Sequence, residues 1–282
     1  MKYSQRPKYE RRNETIAVLV MILLCIPVLF IYFSFFANAF ILDSTGELTL
    51  QNFQFLYQPI QLSQYTVEPI GKAFRNTVIF TAIATTLEVT ISCMAGYALA
   101  RMEFTGKRVI SFSLLTLRLF PGVLLLIGVL YMLLYLGILN TLTGVIVVAI
   151  ALRLPGSTFI IRNFFAGIPQ DIENSALVDG CNRLTAFFQV IIHMVKPGLA
   201  SISIFAFMSA WSNYLLFNVL IFNTKTPVLA TYLRVLSRND QMIADYGVFA
   251  AMAMVYMLPV LIFFFISQRQ LMQGTISGGK GI

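Results

Sequence analysis

The residues with chemistry to offer are few, and several lie where water is scarce. Glu88, Arg118 and Arg153 each sit well inside an apolar run. Ionisable side chains at that depth are costly, so they are functional candidates by default. Two arrangements suit them. Glu88 pairs with one arginine and holds helices together, or one or more of the three face a watery cavity and meet polar cargo. One acid against two bases leaves a surplus cation. Trp211, Tyr214 and Asn218 recur at i, i+3 and i+7, which is one face of a helix. Aromatic rings and an amide fit the C–H faces and hydroxyls of a sugar, and plain helix packing accounts for the same three residues. The single histidine, His193, and the three cysteines, Cys25, Cys93 and Cys181, form no cluster with metal-ligand spacing and no disulfide framework. Gly274-x-x-x-x-Gly279-Lys280 imitates a phosphate loop, yet Gly281 stands where a magnesium-holding hydroxyl belongs and only Ile282 follows. No nucleophile–base pair and no metal set is present. An enzyme is therefore not expected, and no cofactor or metal is expected in this chain.

The elements that position these residues are membrane helices. Of 282 residues 58% are hydrophobic and 11% charged, against about 45–50% and about 25% in soluble domains. Mean hydropathy is +0.79. The net charge of +8 does not point to nucleic acid, because the basic residues lie in short segments between apolar runs rather than on one soluble face. Six runs approach or exceed the ~20 residues that cross the hydrocarbon core: Thr15–Phe40, Val78–Ala100, Val109–Leu136, Leu142–Ile161, Leu199–Phe222 and Tyr246–Ile266. Barrel strands would be ~10-residue alternating segments, and the first run is too long, and lacks a small-residue cleavage site, for a removable signal peptide. With the N-terminus inside, the inner segments hold thirteen lysines and arginines and the outer segments five, which places both termini in the cytoplasm. The expected organisation is a cytoplasmic tail 1–14, a first helix 15–40, an external loop 41–77, a five-helix core 78–267 and a cytoplasmic tail 268–282.

The longest inner loop, 162–198, is the one segment long enough to dock a partner. Pro169 suits the first turn of a helix, with Asp171 and Glu173 complementing its dipole. Ile168, Ile172 and Ala176 make a narrow apolar stripe. Asp179-Gly180 breaks the helix, and Gly180 supplies the positive φ of a sharp turn. A second amphipathic stretch carries Leu184, Phe187, Phe188 and Ile191 and ends before Pro197. The product is a helix–Gly–helix elbow. A hairpin lying on lipid is the alternative, but its acidic first arm suits an anionic leaflet poorly.

At these residues the chain resembles a known family. The run from Ile168 through Gly180 (IPQDIENSALVDG) resembles the EAA loop of binding-protein-dependent ABC transporter permeases. The family's central Glu-Ala-Ala falls on Asn174-Ser175-Ala176, with Glu173 just before it and Asp179-Gly180 in place. Phe187 and Pro197 match the family's Phe and second Pro, and His193 stands at the first Pro, so a straighter second arm is expected. Arg75-Asn76-Thr77, Gly96 to Arg101 with Phe104 and Gly106-Lys107, Phe120-Pro121, Leu136 to Thr141, Asn163-Phe164-Phe165, Trp211 to Tyr214 and the ending Gln270 to Gly281 follow in the order of the carbohydrate-uptake branch, and the pattern is similar to the maltose-type second permease. The resemblance implies an all-α membrane protein with six transmembrane helices in a bacterial or archaeal cell membrane. It implies a second permease, two ATPase subunits that bind ATP and magnesium, and an extracytoplasmic binding protein delivering a sugar or oligosaccharide. Glu173, Asn174, Ser175, Ala176, Asp179 and Gly180 would couple to the ATPase. A glycerol-phosphate-like or uronate cargo is the alternative within the family. An ion-driven secondary transporter is the rival class, for which one midplane carboxylate is thin support.

Overall fold

The computed structural model describes residues 8–42, 45–62, 65–222, 226–237 and 246–278. In chain order its helices are α1 (Lys8–Ala39), α2 (Gly71–Arg101), α3 (Lys107–Leu117), α4 (Gly122–Tyr135), α5 (Leu142–Ala166), α6 (Gln170–Val178), α7 (Arg183–Ala186), α8 (Ile192–Met194), α9 (Lys196–Trp211), α10 (Tyr214–Leu220), α11 (Leu229–Ser237) and α12 (Tyr246–Gly278). A π-turn, Phe187–Ile191, joins α7 to α8. The described chain is nearly all helical, as expected, with one small exception. Strands β1 (Ile60–Leu62) and β2 (Tyr65–Val67) form an antiparallel hairpin pairing Ile60 with Val67. Among the described residues four helices are long and apolar enough to cross a membrane (α1, α2, α5 and α12), or up to six if each of two bent pairs counts as one span.

Those bent pairs are where the expected spans differ from the structure. The run Val109–Leu136 is not one helix: α3 and α4 meet at 107° across Arg118–Pro121. Pro121 has no N–H to continue the ladder, and it pushes Phe120 out of the helical region. The run Leu199–Phe222 is also divided. Helix α9 stops at Trp211, and α10 starts afresh at Tyr214, because the Asn213 side chain accepts from the Leu216 N–H at 3.3 Å as an N-cap and the Ser212 hydroxyl donates back to Met208 O at 2.7 Å. At its other end α9 bends by 79° from the helical segment Arg183–Met194. Helix α12 runs to Gly278, through most of the segment expected as a tail. Gly274 is therefore helical, while Gly279 and Lys280 lie outside the described residues.

The chain divides into two units. In Met1–Pro69 with Val235–Tyr256, the buried Asn52 amide donates to Ala39 O at 3.1 Å and Ile41 O at 2.8 Å, satisfying carbonyls left open at the end of α1. Gly247 backs onto the same amide, where any Cβ would collide with it.

In Ile70–Arg234 with Met257–Ile282, α2 packed along α5 forms the spine. One apolar cluster joins Phe80, Leu126, Val145, Ala149 and Leu220, and a second joins Cys93, Tyr97, Ile161, Phe165 and Phe187. The Arg75-Asn76-Thr77 motif has a physical reason here. Asn76 donates to Pro227 O at 2.9 Å, and the Thr77 hydroxyl accepts the Leu229 N–H at 2.9 Å while donating to Ala73 O. These bonds tie the start of α2 to the start of α11.

Gly96 sets the closeness of the spine. A Cβ there would lie 2.5 Å from Ile161 Cγ2 and 3.1 Å from the Arg162 amide. Gly96→Val is expected to lower stability by about 1–3 kcal/mol through overpacking, read as a lower unfolding temperature in detergent. Gly128→Ala, with nothing within 4 Å of its added Cβ, is expected to leave that temperature unchanged or raise it.

Candidate functional site: the elbow and the intramembrane charges

The elbow forms as its sequence implies, one residue displaced at its start. Pro169 is the cap rather than the first helical residue, with φ −56° and ψ 136°, and Asp171 and Glu173 occupy the first turn of α6. The helix closes as a Schellman motif. The Cys181 N–H donates to Ala176 O at 3.0 Å and the Gly180 N–H to Leu177 O at 3.1 Å. Gly180 takes φ +91°, a conformation that L side chains resist. A Cβ there would meet nothing within 4 Å, so backbone conformation and not space demands the glycine. The second arm begins at Asn182, whose side chain caps Thr185 N at 2.7 Å. His193 lies exposed in an unbroken helical arm, and the bend comes after it.

The structure divides the six expected coupling residues between two faces. Asn174, Ser175, Asp179 and Gly180 are exposed, together with Val178, Leu184 and Phe188. Glu173 and Ala176 turn inward and are buried. Glu173 Oε1 accepts the Tyr97 hydroxyl at 2.6 Å, and Glu173 Oε2 lies 3.6 Å from Arg101 Nε. Arg101 Nη2 also donates to Ile168 O at 2.5 Å. The Phe187 ring from the second arm closes over Tyr97 at 4.7 Å between centroids. Tyr97 and Arg101 were not candidates from chemistry, although their four-residue spacing puts them on one face of α2.

Of the two arginines, the structure brings Arg153 to Glu88. The Glu88 carboxylate accepts Arg153 Nε at 2.9 Å and the Ser157 hydroxyl at 2.5 Å, and Arg153 Nη2 donates to Phe205 O at 2.8 Å. Glu88 therefore binds α2 to α5, and Arg153 extends the tie to α9. Ser157, missed from sequence, follows Arg153 by four residues and so shares its face. Arg118 is not brought to Glu88. It ends α3, is exposed, and lies over the Phe159 ring at 5.4 Å.

The expected common face of Trp211, Tyr214 and Asn218 does not form, because the chain breaks between the first two. Trp211 is buried against Phe207, stacked at 5.9 Å, and meets Phe74 edge-on at 6.3 Å. Tyr214 and Asn218 do stay together on α10. Arg234 of α11 joins them, with its guanidinium 5.4 Å from the Tyr214 ring and a hydrogen bond to Asn218 Oδ1. That arginine lies between the apolar runs Leu199–Phe222 and Tyr246–Ile266 and was not a candidate from chemistry.

Breaking the Glu88–Arg153 pair leaves a charge in a dry setting, since the Glu88 side chain is 2% exposed and that of Arg153 27%. Glu88→Gln is expected to cost about 3 kcal/mol, the lower end for a buried pair because arginine retains some water. The Glu88→Leu and Arg153→Leu changes together should cost clearly less than their separate costs added. Unfolding midpoints of the four proteins in detergent check this, and simple additivity would contradict the pairing.

With this geometry in place, the comparisons with known proteins are direct. Residues 88–276 match the family described as binding-protein-dependent transport system inner membrane component. The chain is similar to the diacetylchitobiose uptake system permease protein NgcG of Streptomyces coelicolor, 32% identical over 271 residues that cover 95% of this chain and 87% of that one. It is similar to the maltodextrin transport system permease protein MdxG of Bacillus subtilis, 28% identical over 242 residues and 86% and 84% of the two chains. It shares its fold with a solved bacterial ABC transporter involved in the import of the acidic polysaccharide alginate, with a TM-score of 0.75, 19% identity and coverage of 94% and 98%. A family match over more than half the chain, carried by the same span that holds the elbow and the α2–α5 spine, makes this chain a member of the binding-protein-dependent transport system inner membrane components.

Proposed function

We propose that this chain is a transmembrane permease subunit of an ATP-driven importer of a sugar or oligosaccharide. It crosses the membrane six times, α3 with α4 serving as the third span and α9 with α10 as the fifth, and keeps both termini and the elbow in the cytoplasm of a bacterial or archaeal cell. It pairs with a second permease, receives cargo from an extracytoplasmic binding protein and rests on two ATPase subunits. ATP and magnesium belong to those subunits, and this chain hydrolyses nothing itself.

The observation that carries the reading is the exposed face of the elbow. Val178 is 86% exposed and Leu184 69%, on either side of a turn closed by its own backbone hydrogen bonds. Apolar side chains offered to water on a rigid support are what a partner groove recognises. Sugar cargo is supported by the near full-length likeness to uptake permeases for diacetylchitobiose and maltodextrin. Tyr214, Asn218 and Trp211 then lie along or beside the passage.

An anionic cargo is the second reading, and Arg118 favours it. The guanidinium is exposed at a helix break and no carboxylate pairs with it among the described residues. Broken helix at membrane depth is tolerated where it lines a water-filled cavity or is covered by protein.

Affinity purification from the native membrane is expected to bring down an ATPase and a second permease, and the assembly in liposomes to take up labelled sugars. Val178→Glu is expected to cut uptake about tenfold or more, since each ~1.4 kcal/mol of lost docking is a factor of ten, without loss of membrane insertion. Gly180→Val, strained by about 1–3 kcal/mol at its positive φ, is expected to do the same. Robust uptake of an amino acid and of no sugar would overturn the cargo assignment; unchanged transport in both variants would overturn the docking assignment.

A further inference from the structure

The first arm of the elbow is tethered twice to a single helical turn of α2. Arg101 holds Ile168 O, just before the cap of α6, and Tyr97 holds the Glu173 carboxylate in its first turn. One bond would leave α6 free to swing; two attachments five residues apart fix both its position and its direction. All three polar side chains are withdrawn from water, with Arg101 and Glu173 only 7% and 6% exposed and Tyr97 buried. Swinging α6 away would therefore break both hydrogen bonds and pull the Glu173 and Arg101 charges apart together, which disfavours separation. The alternative place for bending is Gly167–Pro169, between α5 and α6, where both helices have ended.

We propose that Tyr97, Arg101 and Glu173 form a latch that makes the elbow and the Arg101 end of α2 move as one body. Displacement of the elbow by a docked ATPase then reaches α2 whole instead of being absorbed by bending at Gly167–Pro169. The inference rests on the reading of the elbow as the ATPase-docking element, and it makes Tyr97 and Arg101 positioning residues. It also gives the two inward-facing residues of the first arm a role: Glu173 closes the latch, and Ala176 leaves room for α6 to lie close.

The test uses the complete assembly in liposomes, with Cys25, Cys93 and Cys181 replaced by serine and nitroxide labels on Met94→Cys in α2 and Gln170→Cys at the start of α6, both exposed and neither among the coupling residues. The distance between labels is measured without nucleotide and with a non-hydrolysable ATP analogue. One distance common to both states is expected in the parent. In Tyr97→Phe the distance should differ between the states, and the number of ATP molecules hydrolysed per cargo molecule should rise about tenfold, within the range of coupling between linked sites. Glu173→Gln, which keeps an acceptor for Tyr97 but loses the charge facing Arg101, should shift both readings in the same direction. A parent distance that changes with nucleotide overturns the latch. So do parental distance and parental ATP-to-cargo ratio in both variants. A parent assembly that retains no ATPase overturns the docking reading itself.

Discussion

Glu173 is a carboxylate with almost no access to water, and the end of α2 near Arg101 is arranged around that fact. A buried acid without partners would cost several kcal/mol or lose its charge. Here the Tyr97 hydroxyl and the Arg101 guanidinium meet it, and both belong to one face of one helix. Because those partners sit on a membrane span, their contact with Glu173 fixes where α6 lies. The Schellman closure at Gly180 then fixes where its exposed turn points. The outward face of the elbow is thus defined from within.

The same constraint recurs along the spine. Glu88 is buried on α2, and α5 answers it with Arg153 and Ser157, one turn apart. Arg153 spends a second donor on Phe205 O, which brings α9 into the same group. Between the two carboxylates lies Gly96, where α2 and α5 come close enough that a Cβ would strike Ile161. Helix α2 is therefore held by an ion pair at one level, by close backbone packing at the next, and by the Glu173 contact at its end.

What the sequence made legible follows from how each signal arises. Long apolar runs announced α1, α2, α5 and α12, since hydropathy averages well over unbroken helix. The same averaging hid the breaks at Arg118–Pro121 and Ser212–Asn213, which are only a few residues long and lie inside apolar surroundings. Pro121 and Asn213 are the local clues, and the period across Trp211, Tyr214 and Asn218 ran straight over Asn213. Gly180 was legible because positive φ has few other solutions. The inward turn of Glu173 was not, because the stripe of Ile168, Ile172 and Ala176 describes the buried face without saying that a charge shares it. Nor did composition choose between Arg118 and Arg153 as the partner of Glu88. That choice depends on the register of α2 against α5, which no local pattern contains.

Glu173 serves this chain's own α2, and under the proposed docking the exposed turn is left to the ATPase. The most direct measurement is the structure of the intact assembly in two states, without nucleotide and with ATP bound. The Tyr97 hydroxyl is expected to stay within hydrogen-bond distance of the Glu173 carboxylate, up to about 3.0 Å, in both states, while Val178 and Gly180 meet the ATPase. A Glu173 side chain that leaves Tyr97 and enters the ATPase surface in either state would contradict it.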